Sequence, residues 1–109
     1  MAMKVTGSDA LPKSIMALVA LCVETLDPNR IVLFGSRARG SYRITSDYDL
    51  LIEPKVADRS RWLKFLNDIE SKNVTLYPVD LVDYYSCEPE LRKHALREGT
   101  VLYERNEGV

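Results

Sequence analysis

The sequence predicts one small α/β domain, in which a mixed sheet of about three to four strands is flanked by helices. Stretches of apolar residues with helix spacing alternate along the chain with short runs typical of strands. The length of 109 residues suits a single domain over residues 1–109. With 46% apolar and 28% charged residues, the composition is that of a globular chain with one core.

The first third of the chain predicts a helix, a buried strand and a turn. Pro12 precedes apolar residues at helical spacing, which are Ile15, Leu18, Val19, Cys22 and Leu26. Asp27-Pro28-Asn29 ends this helix, and Arg30–Phe34 forms a compact apolar run that stops at a glycine. The stretch Gly35–Thr45 is rich in Gly, Ser and Arg and predicts a turn, with room for one short helical turn.

The middle of the chain predicts a second strand and a second helix. Asp47–Glu53 has the pattern of a strand and is closed by Pro54. Asp58–Ser71 has apolar side chains on one helical face, with Arg61, Lys64, Asp68 and Lys72 at exposed positions.

The last third predicts a strand and a short helix. Val74–Val82 is apolar enough for a strand, although Pro78 favours an edge position or a bulge. Glu88–Glu98 predicts a helix that ends at Gly99. Val101–Tyr103 is compatible either with a last short strand or with a packed tail.

Charge and cysteine content exclude several classes of protein. Fifteen basic and sixteen acidic residues give a formal net charge of −1. Direct binding to nucleic acid through an overall positive charge is therefore not expected. Two separated cysteines and one histidine cannot build the usual zinc patterns. The longest apolar run, Ile15–Val23, is too short for a membrane span, and the first ten residues lack the form of a signal peptide. A cytoplasmic protein without a membrane anchor is therefore expected.

Two carboxylates are predicted to share one face of the second strand. Asp47 and Asp49 are two residues apart, so their side chains point the same way with Cα atoms about 7 Å apart. Like charges so placed repel each other and raise each other's pKa. A hard divalent cation such as Mg²⁺, which prefers oxygen ligands, would remove that cost.

A third carboxylate lies within the predicted third strand. Asp80 sits among apolar residues, where a charge is costly unless it is paired or bound to a metal. If this strand is a neighbour of the second, Asp80 completes a site of three carboxylates. Asp83 is the competing candidate, but a regular strand turns it to the opposite face, at the end of the strand.

The turn before the second strand has the composition of a phosphate site. Gly35 allows a ligand to approach the backbone closely, and Ser36 offers a hydroxyl and an amide at the start of a turn or helix. Arg37 follows directly, and Arg30, Arg39 and Arg43 add three more cations suited to phosphate. A phosphate site close to a divalent-metal site is what phosphoryl or nucleotidyl transfer requires.

The pattern of Gly35-Ser36, ten further residues and Asp47-Tyr48-Asp49 resembles the signature of the DNA polymerase β-type nucleotidyltransferase superfamily. The likeness is strongest over Ile31–Glu53. Within the superfamily, the chain resembles the minimal nucleotidyltransferase branch, which includes MntA-like antitoxins. It implies the polymerase β-like fold, with ATP as substrate and two Mg²⁺ ions held by Asp47, Asp49 and Asp80. By the same resemblance Gly35 and Ser36 would hold the β- and γ-phosphates, and Asp80 would help to activate the attacking hydroxyl.

The resemblance also implies a partner protein. Members of the minimal branch are paired with a HEPN-domain RNase toxin and transfer AMP to a tyrosine of that toxin. The expected function is therefore that of an adenylyltransferase antitoxin acting on a HEPN toxin. Two alternatives remain open at this point: an antitoxin that neutralises its partner by complex formation alone, and a nucleotidyltransferase acting on nucleic acid, which the balanced charge disfavours.

Overall fold

The computed structural model describes residues 11–106, which form four helices and four strands. In chain order these are α1 (Lys13–Leu26), β1 (Arg30–Phe34), α2 (Ser36–Arg39), β2 (Tyr48–Glu53), α3 (Arg59–Ser71), β3 (Val79–Asp83), α4 (Pro89–Glu98) and β4 (Thr100–Glu104). The helices and strands predicted from the sequence are all present, and the short helical turn after Gly35 is α2.

The four strands form one mixed sheet in the order β3-β2-β1-β4. Strand β1 is antiparallel to both β2 and β4, whereas β2 and β3 are parallel. The carboxyl end of β1 and the amino ends of β2 and β3 therefore meet at one edge of the sheet. This arrangement confirms the predicted fold class and gathers the candidate site residues at that edge.

Helices cover both faces of the sheet. On one face, Leu50 and Ile52 of β2 pack in a core cluster with residues of α1 and α3, including Leu18 and Phe65. On the other face, Leu51 belongs to a smaller cluster with Ala95 of α4. Alternation along β2 therefore places Asp49 on the α4 face, two residues before Leu51.

The predicted strand Val74–Val82 is wrong at its amino end, because β3 begins only at Val79. Pro78 has no amide hydrogen to donate, and the Tyr77 amide donates to the Thr75 hydroxyl at 3.2 Å, which bends the chain out of strand geometry. Near the end of the chain, the alternative of a last strand is confirmed. β4 pairs with β1 and is the outermost strand of the sheet on the side opposite β3.

Two helices begin one residue later than predicted. Asp58 is the N-cap of α3 rather than its first residue, since its carboxylate accepts hydrogen bonds from the amides of Ser60 and Arg61 at 3.0 and 3.3 Å. Glu88 likewise precedes α4, which starts at Pro89. None of the helices found between residues 11 and 106 has the length and apolar character needed to cross a membrane.

Candidate active site

Two of the three predicted carboxylates, Asp49 and Asp80, lie on one face of the sheet, whereas Asp47 falls outside it because β2 begins one residue later than predicted, at Tyr48. Asp49 in β2 and Asp80 in β3 are direct register partners, and adjacent strands are about 4.8 Å apart. Paired residues of parallel strands project to the same face, so both carboxylates lie on the α4 side. Asp47 precedes β2 directly and is exposed, two residues from Asp49. The fold thus brings two segments 31 residues apart in the sequence into a single acidic edge.

Gly35 packs against this acidic edge without room for a side chain. Its backbone has φ 76° and ψ −159°, a region that is essentially restricted to glycine. A Cβ atom built at this position would lie 2.2 Å from Oδ2 of Asp49. The contact follows from the register, because Phe34, the residue before Gly35, is the β1 partner of Asp49. The turn at Gly35 is therefore fixed by both its dihedral angles and its contact with the carboxylate.

The electrostatics of the site are dominated by Asp49. Burial raises the pKa of its carboxyl group, and repulsion from Asp80 and then Asp47 raises it further. The Arg39 guanidinium offsets part of this rise. Asp80 and Asp47 therefore both lie close enough to Asp49 for their charges to act on it.

The donor set fits a hard divalent cation. All the candidate ligands are carboxylate oxygens, the type that Mg²⁺ and Mn²⁺ prefer. Over residues 11–106, no three acidic, histidine or cysteine side chains already converge as a ready ligand set. Mutually repelling carboxylates are expected to stand apart until a cation neutralises them, so side-chain rotation would have to close Asp47, Asp49 and Asp80 around an ion.

Arg37 is engaged by the loop before β2. Its guanidinium donates to the carbonyl oxygens of Ile44 at 3.1 Å and of Ser46 at 3.2 and 3.3 Å. It also lies over two aromatic rings, 4.4 Å from the centroid of Tyr42 and 4.3 Å from that of Tyr48. Through these contacts Arg37 holds the loop that leads to Asp47 in place. Its contact with phosphate stays a prediction.

The other arginines of the cluster lie in different parts of the fold and act on different groups. Arg30 pairs with Glu53 at 2.7 Å, at the opposite end of β1 from Gly35. Arg39 is exposed and lies close enough to Asp49 for its charge to lower the pKa of that carboxyl group. No feature of the sequence distinguishes Arg39 from the other arginines of the cluster in this respect.

Asp83, the competing third carboxylate, is the last residue of β3 and bonds to the turn that follows. Its oxygens accept hydrogen bonds from the Tyr85 amide and the Ser86 hydroxyl, both at 3.1 Å. It is three residues beyond Asp80, or about 10 Å along the strand. The geometry therefore favours Asp80 over Asp83 as the partner of Asp49.

We expect the substitution Arg37→Lys to loosen the loop that precedes Asp47. Lysine keeps the positive charge but lacks the planar fork that donates to two carbonyl groups while stacking on aromatic rings. Trypsin cleavage after Arg43, followed by mass spectrometry of the native protein, should become at least several-fold faster. The matched substitution Arg39→Lys should leave this rate unchanged, and equal cleavage of wild type and Arg37→Lys would contradict the bracing role.

Comparison with known proteins places this geometry in a family. A family model for polymerase beta nucleotidyltransferases matches residues 17–108. A toxin–antitoxin crystal structure with AMP-PNP is 23% identical, with a TM-score of 0.64 over 87% of this chain and 74% of that chain. A mutant of the toxin–antitoxin MntA-HpeT is 20% identical, with a TM-score of 0.65 over 89% and 77% of the two chains.

A structure described as a minimal nucleotidyltransferase is 29% identical, with a TM-score of 0.60 over 78% of this chain and 85% of that chain. A search of curated proteins gives no significant match. The two toxin–antitoxin likenesses, below 25% identity, show a shared fold. The family match spans most of the chain and includes Gly35, Asp47, Asp49 and Asp80. The chain therefore belongs to the polymerase beta nucleotidyltransferase family.

Proposed function

We propose that this protein is a Mg²⁺-dependent nucleotidyltransferase that acts as an antitoxin by transferring AMP from ATP to a tyrosine of a HEPN-type RNase toxin. The observation that carries the proposal is the contact of Gly35 with Asp49 at the edge where Asp49 and Asp80 are register partners. This arrangement offers a backbone turn for a triphosphate directly beside carboxylates for a divalent cation. Family membership supports the reaction class, and the likeness to toxin–antitoxin structures supports the role.

In the proposed reaction, each side chain has a separate task. Asp47, Asp49 and Asp80 would hold two Mg²⁺ ions. When bound, these ions would neutralise negative charge on the triphosphate. The main chain at Gly35 and the amide and hydroxyl of Ser36 would hold the β- and γ-phosphates. The amides of Ala38 and Arg39 donate to the Gly35 carbonyl at 3.1 and 3.2 Å. The first two amides of α2, those of Ser36 and Arg37, have no acceptor within the helix and would be available to a ligand.

The chemical step is an in-line displacement at the α-phosphorus. The acceptor tyrosine oxygen forms a bond to that phosphorus, the bond to the oxygen that bridges to the β-phosphorus breaks, and pyrophosphate leaves. Asp80 would take up the hydroxyl proton at a carboxylate oxygen, because it stands on the edge strand and is exposed to an incoming acceptor. Arg39 would lie on the phosphate side of the acidic edge.

Transfer of label from ATP tests this proposal. Incubation with α-labelled ATP, Mg²⁺ and the product of the adjacent gene, which the proposal expects to be a HEPN-type toxin, should place label on a tyrosine of that product. The substitution Asp47→Asn should abolish labelling and the ability to neutralise the toxin. An unlabelled partner with every nucleoside triphosphate would contradict the enzymatic proposal. Full neutralisation by the Asp47→Asn protein would instead establish the non-catalytic alternative, in which complex formation alone silences the toxin.

A further inference from the structure

Tyr48 lies between two of the candidate metal ligands in the sequence, but its side chain projects away from them. Side chains alternate along β2, so Asp49 lies on the α4 side of the sheet and Tyr48 on the opposite side. There the Tyr48 ring packs in the core cluster with Leu18 and Phe65 and is only 4% exposed. Tyr48 therefore lies across the sheet from any ion held by Asp49 and can affect it only through the segments that it contacts.

The ring of Tyr48 contacts the short helix that follows the Gly35 turn. The guanidinium of Arg37, which comes two residues after Gly35, lies 4.3 Å from the centroid of this ring. The same guanidinium donates to the carbonyl oxygen of Ser46, the residue before Asp47. Arg37 therefore connects the turn proposed for the phosphates both to the Tyr48 ring and to the main chain next to Asp47.

Tyr48 also contacts the segment that leads into β3. The rings of Tyr48 and Tyr77 meet edge to face with centroids 5.5 Å apart. The Tyr48 amide donates to the Pro78 carbonyl at 2.9 Å, and Tyr48 is the register partner of Val79. Because Asp80 follows Val79 directly, these contacts hold the chain immediately before the third candidate ligand.

The three segments that carry the candidate site residues therefore meet at Tyr48. Pairing of β2 with β3 places Asp49 opposite Asp80, but Gly35 and Asp47 lie outside the paired strands. A site that binds a metal ion and phosphates together needs its groups held to within a fraction of an ångström. A residue with a purely structural role in the core would contact apolar neighbours alone, whereas Tyr48 also contacts a guanidinium and a second tyrosine ring.

We propose that Tyr48 is a positioning residue, which holds the Gly35 turn and the chain before Asp80 at a fixed spacing from Asp47 and Asp49. The inference rests on the proposed function and adds to it the residue that joins the phosphate turn and the metal ligands into one site. Loss of the ring would remove the common neighbour of the three segments, so that they could move apart. Replacing a group that orients metal ligands from behind typically weakens metal affinity by about 10- to 100-fold.

Affinity for Mn²⁺ tests the inference without nucleotide or acceptor. The Kd is measured by titrating the purified protein with Mn²⁺ and recording the electron paramagnetic resonance signal of the free ion. We expect Tyr48→Leu to bind Mn²⁺ about tenfold or more weakly than wild type, whereas Tyr48→Phe, which keeps the ring, binds it equally well. Tyr77→Leu removes one ring contact at an exposed position, leaves the core cluster intact and should weaken Mn²⁺ binding severalfold.

Ile52→Val is the matched control for a general loss of stability. Ile52 belongs to the same strand and core cluster as Tyr48 but lies near the opposite end of β2 from Asp49. This variant should lower the Tm and leave the Kd for Mn²⁺ unchanged. If Tyr48→Leu does not fold, the Kd of Tyr77→Leu decides, and a wild-type value would overturn the inference.

The Mn²⁺ titrations separate the possible outcomes. Wild-type affinity in both Tyr48→Leu and Tyr77→Leu would overturn the positioning role and leave the proposed function intact. The positioning role would equally be overturned if Ile52→Val or Tyr48→Phe lost as much affinity as Tyr48→Leu. A wild-type protein that binds Mn²⁺ no more tightly than Asp49→Asn would overturn the metal assignment, and with it both the proposed function and this inference.

Discussion

Replacing Asp49 with asparagine is expected to reduce nucleotide transfer by on the order of 10²- to 10³-fold, the usual cost of losing one group that stabilises the transition state electrostatically. Asp49 is the central carboxylate of the site, since it is the register partner of Asp80, lies two residues from Asp47 and contacts the Gly35 turn. Asparagine has nearly the same shape but cannot neutralise a cation. The measurement is the rate of pyrophosphate release with ATP, Mg²⁺ and acceptor.

The matched control for this variant is Asp83→Asn. Asp83 lies on the same strand as Asp80 but bonds within the following turn, so its replacement should cost some stability and leave the transfer rate close to that of wild type. If Asp49→Asn retains the wild-type rate, or if Asp83→Asn loses activity to the same extent, the assignment of the metal-binding carboxylates is wrong.

Asp49→Asn should also change how stability depends on pH. Burial and repulsion raise the pKa of the Asp49 carboxyl above its unfolded value, near 3.8. The folded domain then binds more protons than the unfolded chain between the two pKa values. The contribution of Asp49 to stability is therefore fully present below the unfolded pKa and is lost as the pH rises through the folded pKa. Without metal, the Tm of Asp49→Asn relative to wild type should increase from pH 4 to pH 7, and a constant difference would contradict the raised pKa.

Gly35→Ala is expected to impair both the fold and the activity. The backbone at Gly35 lies in a region that costs a residue with a side chain about 1–3 kcal/mol. In addition, the new Cβ would lie 2.2 Å from Oδ2 of Asp49, so the carboxylate must move. Urea unfolding should show a loss of stability of at least this size, and nucleotide transfer should fall to a small fraction of the wild-type rate.

Gly40→Ala separates backbone strain from contact with the site. Gly40 also has a positive φ of 80°, but a Cβ there would meet nothing within 4 Å. Its replacement should cost about 1–2 kcal/mol of stability from conformation alone and leave the transfer rate largely intact. Equal losses of activity in the two variants would show that strain in the turn, rather than displacement of Asp49, accounts for the effect.

The fold was predictable where local pattern and burial agree. β1 (Arg30–Phe34) is buried on both faces over residues 31–34, as its continuous run of four apolar residues indicated. Asp58–Ser71 shows helical spacing and a capping aspartate, and the helix differs from the prediction by one residue. The pairing of β4 with β1 was not predictable in the same way, because Val101–Tyr103 has too few residues for its spacing to indicate a partner.

The predicted start of β3 is wrong because the apolar residues there are exposed. Leu76 and Tyr77 have the character of strand residues, but Thr75 and Pro78 bend the chain and leave both side chains exposed. Their exposure depends on this bend and could not be predicted from the apolar pattern alone.

The candidate site was predictable in its carboxylates and less so in its cations. The apolar surroundings of Asp80 singled it out before its register with Asp49 was known, whereas the shared strand face predicted for Asp47 and Asp49 stays a prediction because β2 begins only at Tyr48. Arg37 and Arg39 are both basic residues on α2, and the sequence carries no signal that Arg37 lies over the rings of Tyr42 and Tyr48 while the charge of Arg39 acts on Asp49.

The most direct test of the account is the position of a divalent cation in a crystal of the protein with AMP-PNP and Mn²⁺, located by anomalous diffraction. We expect manganese to be bound by carboxylate oxygens of Asp47, Asp49 and Asp80, with the triphosphate on the turn at Gly35 and Ser36. Nucleotide bound at this turn with no ion among the three carboxylates would contradict it.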